Sequence, residues 1–470
     1  MIIIIATFGQ ALAGNAHGVN IFGVLIVWRF IMGVGIGGDY PLSAVISSEF
    51  ASTRIRGRLM TAVFAFQGWG NFTAALIALI ITSAFKSALL ADDPKVLAHV
   101  DNMWRILIGL GCVPGVVALY YRLTIPETPR FTMDIERNVQ QASDDVDNFL
   151  ATGTFYVDPD AVIQRVDAPK ASRSDFAKHF SQWRNLKILI GCAWSWFALD
   201  IAFYGLGLNS SIVLTAIGFS GSSATGTLKV YESLKNIAIG NLILSAAGLI
   251  PGYWVTFLFI DSWGRKPIQL MGFTVLTVLF IIMGFAYDKL IATTATRGAF
   301  VFLYCLANFF QNFGTYPLLP QPNHRGSCSF KWLHCTLVSA LHHTFLFGAY
   351  LELTHPIGPN TTTFVIPGEA FPTRYRSTSH GISAASGKLG AIVAQVGFAQ
   401  LKDIGGTNQF VKHILEIFAL FMLTGIFSTL LLPETKGRTL EELSNEDQED
   451  FVKGVAKSEV KKAPKLITHS

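Results

Sequence analysis

The sequence predicts an all-α polytopic membrane protein. Of its 470 residues, 51% are hydrophobic and only 14% are charged, against roughly 25% charged in soluble domains. Mean hydropathy is +0.44. The apolar residues come in long blocks, such as 237–260 and 413–432, and about 20 apolar residues carry a helix across roughly 30 Å of hydrocarbon. The same composition excludes a disordered chain, a collagen and a coiled coil. Five Cys without paired spacing suggest no disulfide framework. Met1 runs directly into apolar residues, so no signal peptide is expected.

Hydropathy places spans at 2–14, 19–50, 59–85, 103–123, 188–208, 237–260, 268–286, 378–401 and 413–432, with a broken one starting at 299. The first, about 20 Å long at 1.5 Å per residue, is too short to cross. Polar stretches divide the chain into an N-terminal bundle (1–125), a central loop (126–187), a C-terminal bundle (188–432) and a tail (433–470). Most of the 36 Lys and Arg fall on one side. That side holds Arg54, Arg56 and Arg58, the central loop, Arg265 and Lys266, Arg374 and Arg376, and the tail. By the positive-inside rule it is cytoplasmic.

The chain repeats itself. The spacing of Glu49, Arg54 and Arg56 recurs at Glu369, Arg374 and Arg376, and Pro126-Glu127-Thr128 recurs at Pro433-Glu434-Thr435. Two parallel halves are the pattern of major facilitator transporters. Asp261-Ser262-Trp263-Gly264-Arg265-Lys266 resembles that superfamily's D-x-x-G-R-K loop. The first half shows no such loop, so about ten of twelve helices are expected here, and this form is not expected to transport. A second anomaly is 315–358, which holds five of the 11 His and two of the five Cys. Removing it joins Gly314 to Pro359 in one span of about 36 Å. An extra crossing would instead put Arg374, Arg376 and the tail outside. Codons for Gly314-Thr315-Tyr316 and Ile357-Gly358 can carry splice signals in matching phase. The segment is therefore read as a retained intron and a non-native insert. Its Cys328, His334, Cys335, His342 and His343 match no zinc spacing, and no metal or other cofactor is expected.

Ionisable groups inside spans are functional candidates by default. Asp39 precedes Tyr40 near the end of one span, and Gln67 lies in the next. Trp196, Asp200 and Tyr204 follow at i, i+4 and i+8, sharing one helix face. Asn360 would fall in the rejoined span, and Lys388 lies midway through 378–401. Blander readings exist: a helix-end acid paired with a base for Asp39, interhelical bonding for Gln67, and an interfacial aromatic belt for Trp196 and Tyr204. The belt leaves Asp200 unexplained. A buried Lys needs a partner, Asp39 or Asp200. Arg29 reads equally as structural or gating. Gly33 to Gly38 spell a formal G-x-G-x-x-G, but inside an apolar helix with no preceding strand, which excludes a dinucleotide site. Asn71 and Asn360 fit the glycosylation pattern but lie in spans. No nucleophile, base and metal constellation points to an enzyme.

GVGIGGDYPLSAVISSEF, FAFQGWGNF, WFALDIAFYG, PNTTTFVIPGEAFPTRYRSTSHGISAASGKLGAIVAQ and PETKGRTLEEL together resemble fungal high-affinity proton-coupled phosphate transporters of the major facilitator superfamily. GGDYPLS and PNTTTF with SGKLG are specific to that family; DSWGRK and PETKGR are shared across the superfamily. The resemblance implies a twelve-helix fold in the plasma membrane that imports inorganic phosphate with protons by alternating access. It implies phosphate contacts at Tyr40, Gln67, Trp196, Asp200, Tyr204 and Asn360, and a charge near the site at Lys388. Asp39 and Asp200 would serve proton coupling. Arg29, Glu49, Arg54, Asp261, Arg265, Glu369 and Arg374 are read as structural or gating. The expected partners are phosphate, protons and the lipid bilayer, with no nucleic acid. The physical reading is compatible: neutral donors can wrap dihydrogen phosphate, and a carboxylate accepts its O–H, which sulfate lacks. The rival readings are a sugar or organic-anion porter and a phosphate sensor that signals through its loop and tail.

Overall fold

The computed structural model describes residues 1–15, 17–91, 96–123, 172–216, 226–313 and 359–444. The 315–358 segment, with its Cys and His cluster, lies outside them, as do most of the central loop and the basic tail. Helices dominate what is described, because in hydrocarbon every backbone N–H needs an acceptor within its own segment. The first half contains α1 (Ile2–Ala11), α2 (Ile21–Phe50), α3 (Arg56–Ala84), α4 (Lys86–Leu90), α5 (Val96–Leu110) and α6 (Cys112–Arg122). The second contains α7 (Arg173–Ser181), α8 (Trp183–Gly207), α9 (Ser210–Ala216), α10 (Gly226–Leu244), α11 (Ile250–Trp263), α12 (Arg265–Phe285) and α13 (Tyr287–Leu290). It continues with α14 (Thr294–Asn312), α15 (Pro359–Ala370), α16 (Thr373–Leu401), α17 (Val411–Leu430) and α18 (Leu440–Leu443). Among the described residues, eight helical stretches are long and apolar enough to cross a membrane. α1, about 15 Å long, is not.

Two spans depart from the hydropathy reading. The span at 103–123 divides into α5 and α6 at Gly111, with Pro114 in the first turn of α6. The span at 237–260 reaches from Gly226 to Trp263 and contains a π-helical turn, Ser245–Leu249. Pro251 follows that turn, and its missing N–H cannot continue the regular ladder. The end of the expected central loop is also helical. α7 is capped by the Ser172 side chain, which accepts from Asp175 N at 3.1 Å, and it buries Phe180 with Ile366, Phe371 and Leu432.

The halves meet along two seams: α3 packs against α10 and α11, and α2 against α16. The second half has its core between α8, α12, α14 and α17, around Phe273, Phe280, Tyr304 and Phe418. α14 and α15 both pack alongside α12. From the Tyr287 end, α12 and its extension meet Phe300, whose ring centroid lies 5.7 Å from that of Tyr287. Next comes Pro359, whose ring a Cβ on Gly272 would overlap. Last comes Glu369, against Arg265. Asn360 Nδ2 donates to Asn312 Oδ1 at 2.8 Å, tying the two helices where they meet.

Candidate functional site

Trp196, Asp200 and Tyr204 lie on one face of α8, as their spacing predicts, and Lys388 reaches them from α16. Its Nζ donates to Asp200 Oδ2 at 3.0 Å and to the Tyr204 hydroxyl at 2.8 Å. It also stands 4.3 Å from the Tyr204 ring centroid and 5.4 Å from that of Tyr40, within cation–π range. Asp200 is fully buried, so removing the ammonium would leave an uncompensated carboxylate. Gly387, just before the lysine, makes this approach possible. A Cβ there would come within 2.7 Å of Asp200 Oδ2 and closer still to the Trp196 ring.

The opposite wall is neutral. Gln67 on α3 and Asn360 on α15 belong to different halves, and Tyr253 on α11 joins them. Its hydroxyl donates to Gln67 Oε1 at 2.8 Å and accepts from Asn360 Nδ2 at 3.0 Å. Sequence reasoning missed Tyr253 and Asn312. Tyr253 lies in the apolar run LIPGYWVTF, where an aromatic carries no signal beyond lipid or core packing.

Beside the site lies an aromatic layer. Tyr40 packs against Phe64, Trp196 and Phe364 with centroids 6.0, 5.8 and 5.7 Å away. Phe64 stacks on Phe364 at 4.6 Å. His380, also missed, sits edge-on to Trp196 and Phe364, and its Nε2 lies 3.2 Å from the Phe364 carbonyl.

Past this layer, ion pairs lock the helix ends. Arg265 binds Glu369 at 2.8 Å and Asp261 at 2.9 Å. Arg376 binds Glu49 across the halves at 2.6 Å. Asp261 also accepts from Gly57 N and Arg58 N, at 3.1 and 2.9 Å, capping the first turn of α3. Glu434 caps α12 in the same way, accepting from Arg265 N at 2.9 Å and Lys266 N at 3.0 Å. Gly264 between them has φ +105°, and a Cβ there would stand 2.6 Å from Glu434 Oε2. Both motif loops are thus helix caps supplied from a distance.

The structure separates other expected groups. Asp39 pairs with Arg122 on α6, which also donates to Ser43 Oγ at 2.8 Å. Lys388 therefore takes Asp200 as its acid partner and not Asp39. Among the repeat arginines Arg56 and Arg376 are the fully buried ones, while Arg374 is partly buried. Arg56 donates to the Arg438 carbonyl at 3.2 Å, while Arg54 is exposed. Arg374 instead binds Asp175 of α7 at 2.9 Å. Arg29 is exposed on α2, apart from the site.

Away from the ion pairs, a cavity of about 340 Å³ begins at Gln67 and Tyr204 and runs between α3, α8, α10 and α14. Asn71, Gly207 and Leu208 at its rim are exposed. The site is thus closed at one end by two layers and continuous with space at the other.

The chain matches the family model described as "Sugar (and other) transporter" over residues 1–320 and 336–446. It is 46% identical to the repressible high-affinity phosphate permease of Neurospora crassa, covering 95% of this chain and 72% of the relative. It is 44% identical to the inorganic phosphate transporter PHO84 of Saccharomyces cerevisiae, covering 94% and 71%. Its fold is similar to that of the proton:xylose symporter XylE, with a TM-score of 0.58 at 19% identity, covering 94% of this chain and 80% of XylE. A double-Trp mutant of XylE gives 0.61 at 18%, again covering 94% and 80%. The chain belongs to the sugar (and other) transporter family of the major facilitator superfamily, together with the fungal phosphate permeases.

Proposed function

We propose that this chain binds inorganic phosphate between its two halves, as part of a transporter that carries it with a proton across the plasma membrane, with the ion-pair end cytoplasmic. The observation that carries the reading is the triangle of Lys388, Asp200 and Tyr204 facing a wall of neutral amide and phenol groups. One cation and one carboxylate leave the empty site near neutrality. A dihydrogen phosphate ion adds a negative charge beside Asp200, in surroundings that screen it poorly. A proton taken up at the Asp200 carboxylate restores the balance and frees Lys388 to face the anion. Binding of anion and proton is thereby coupled, and rocking of the halves moves both. The similarity of the whole chain to proteins named phosphate permeases and transporters supports this reading over a sugar porter.

Equilibrium binding of labelled phosphate to the purified chain in lipid nanodiscs tests it. Binding should tighten as pH falls towards 5, resist competition by sulfate, and weaken at least tenfold in Lys388→Met. Displacement by xylose or equal displacement by sulfate would refute it.

A further inference from the structure

The cavity beside the site repeats its polar groups one or two helical turns further along each wall. On α3, Asn71 follows Gln67 by four residues. On α14, Asn308 precedes Asn312 by four. On the α10 side, Ser245 precedes Tyr253 by eight, and all three outer residues line the cavity. Four residues advance a helix by about 6 Å, so an outer set stands above the inner one.

We propose that Asn71, Ser245 and Asn308 form a second, outer subsite for a tetrahedral oxyanion bearing at least one O–H, with dihydrogen phosphate as its ligand. The proposal rests on the phosphate reading above. Asn308 Nδ2 donates to the Tyr304 carbonyl at 3.1 Å, which leaves its Oδ1 as the acceptor for the anion's O–H. The Ser245 hydroxyl and the Asn71 amide supply donors for its other oxygens. Ser210 Oγ donates to Asn241 Oδ1 at 2.7 Å, bracing the neighbouring wall. No charged residue lines the cavity, so the anion is held by hydrogen bonds alone and released easily inward to Lys388. A shallow well suits a staging position, since a deep one would trap the ion. The π-helical turn begins at Ser245, and such turns occur often at functional sites. The volume of about 340 Å³ holds roughly ten waters at about 30 Å³ each, enough for the anion with part of its hydration.

An outer well that is emptied when the anion moves inward changes both rates and spares the equilibrium. Phosphate association and dissociation are measured by stopped-flow tryptophan fluorescence on the full chain in nanodiscs, with equilibrium binding in parallel. In Ser245→Ala and Asn308→Leu, both rates are expected to fall about tenfold, the loss of a hydrogen bond to a charged group, while the dissociation constant changes less than twofold. Unchanged rates in Ser245→Ala, the variant least disturbing to packing, would overturn the outer subsite alone. Failure of the unmodified chain to bind phosphate would overturn both this proposal and the reading beneath it.

Discussion

Tyr253 is the residue on which the two halves agree. Its hydroxyl holds Gln67 from one half and Asn360 from the other, so both amides are oriented before any ligand arrives. Tyr253→Phe keeps the packing against Phe64, whose centroid is 5.8 Å away, and removes only the bridge. Phosphate affinity is expected to fall about tenfold with little loss of thermal stability, read by binding and unfolding on the same sample. Asp175 and His179 of α7 give a second residue-scale expectation. Burial pushes the Asp175 carboxyl up, but the Tyr375 hydroxyl and the Arg374 guanidinium outweigh it and hold it below the ordinary 3.8. Burial, helped by Arg374, holds His179 below its ordinary 6.5. Both groups therefore bind fewer protons when α7 is docked. Their stabilisation is complete above about pH 6.5 for His179 and above about pH 4 for Asp175, and is lost as pH falls. The protection of α7 amides, measured against their intrinsic exchange rates, should weaken as pH falls from 7.5 to 5.5, and much less in His179→Gln. Equal weakening in both would count against His179.

At the scale of elements, Gly264 and the α14–α15 pair carry the expectations. Gly264 has φ +105° and no room for a methyl beside Glu434. Gly264→Ala is expected to cost about 1–3 kcal/mol by backbone strain and loss of the α12 cap, visible as a lowered melting temperature. α14 and α15 lie in sequence along α12, joined by the Asn312–Asn360 bond. We propose that 315–358 is no part of the transporter scaffold. Deleting 315–358 should leave folding and phosphate binding intact, and the mature transcript should lack the corresponding bases. A transcript that keeps them would defeat the intron reading. Hydropathy located the long spans because burial in lipid demands continuous apolar runs. It could not locate the break at Gly111 or the π turn, because both depend on how backbone bonds are shared around Gly and Pro. α7 stayed hidden in a polar stretch because Phe176 and Phe180 are its only large apolar residues, and the contacts of Asp175 and His179 leave no hydropathy signal.

For the whole molecule, the arrangement is a site open at one end and closed at the other by an aromatic layer and an ionic layer. The charged half of the site was legible from sequence, since Asp and Lys are costly inside a membrane and mark function there by default. The neutral half was legible only through Gln67 and Asn360. Tyr253 and Asn312 acquire their roles from the meeting of distant helices. Which arginine of each repeat is buried also followed from packing, not spacing. Breaking the cross-half pair with Arg376→Met takes the guanidinium away from Glu49 in a dry site, at a cost of about 3–5 kcal/mol to the closed arrangement. A single cysteine placed at Ala44, which is fully buried between the halves, should then react faster with a soluble thiol reagent. An unchanged rate would remove Arg376 from the closure. The latch has one more property. The side chains of Arg265, Glu369, Arg376 and Glu49 are 0–2% exposed, so dissolved ions cannot enter among them. Surface charge pairs fade over a Debye length of about 8 Å at physiological ionic strength, but these are sheltered from it. The frequency with which the basic end opens should therefore hold steady when the cell's salt content swings, and respond steeply to temperature instead.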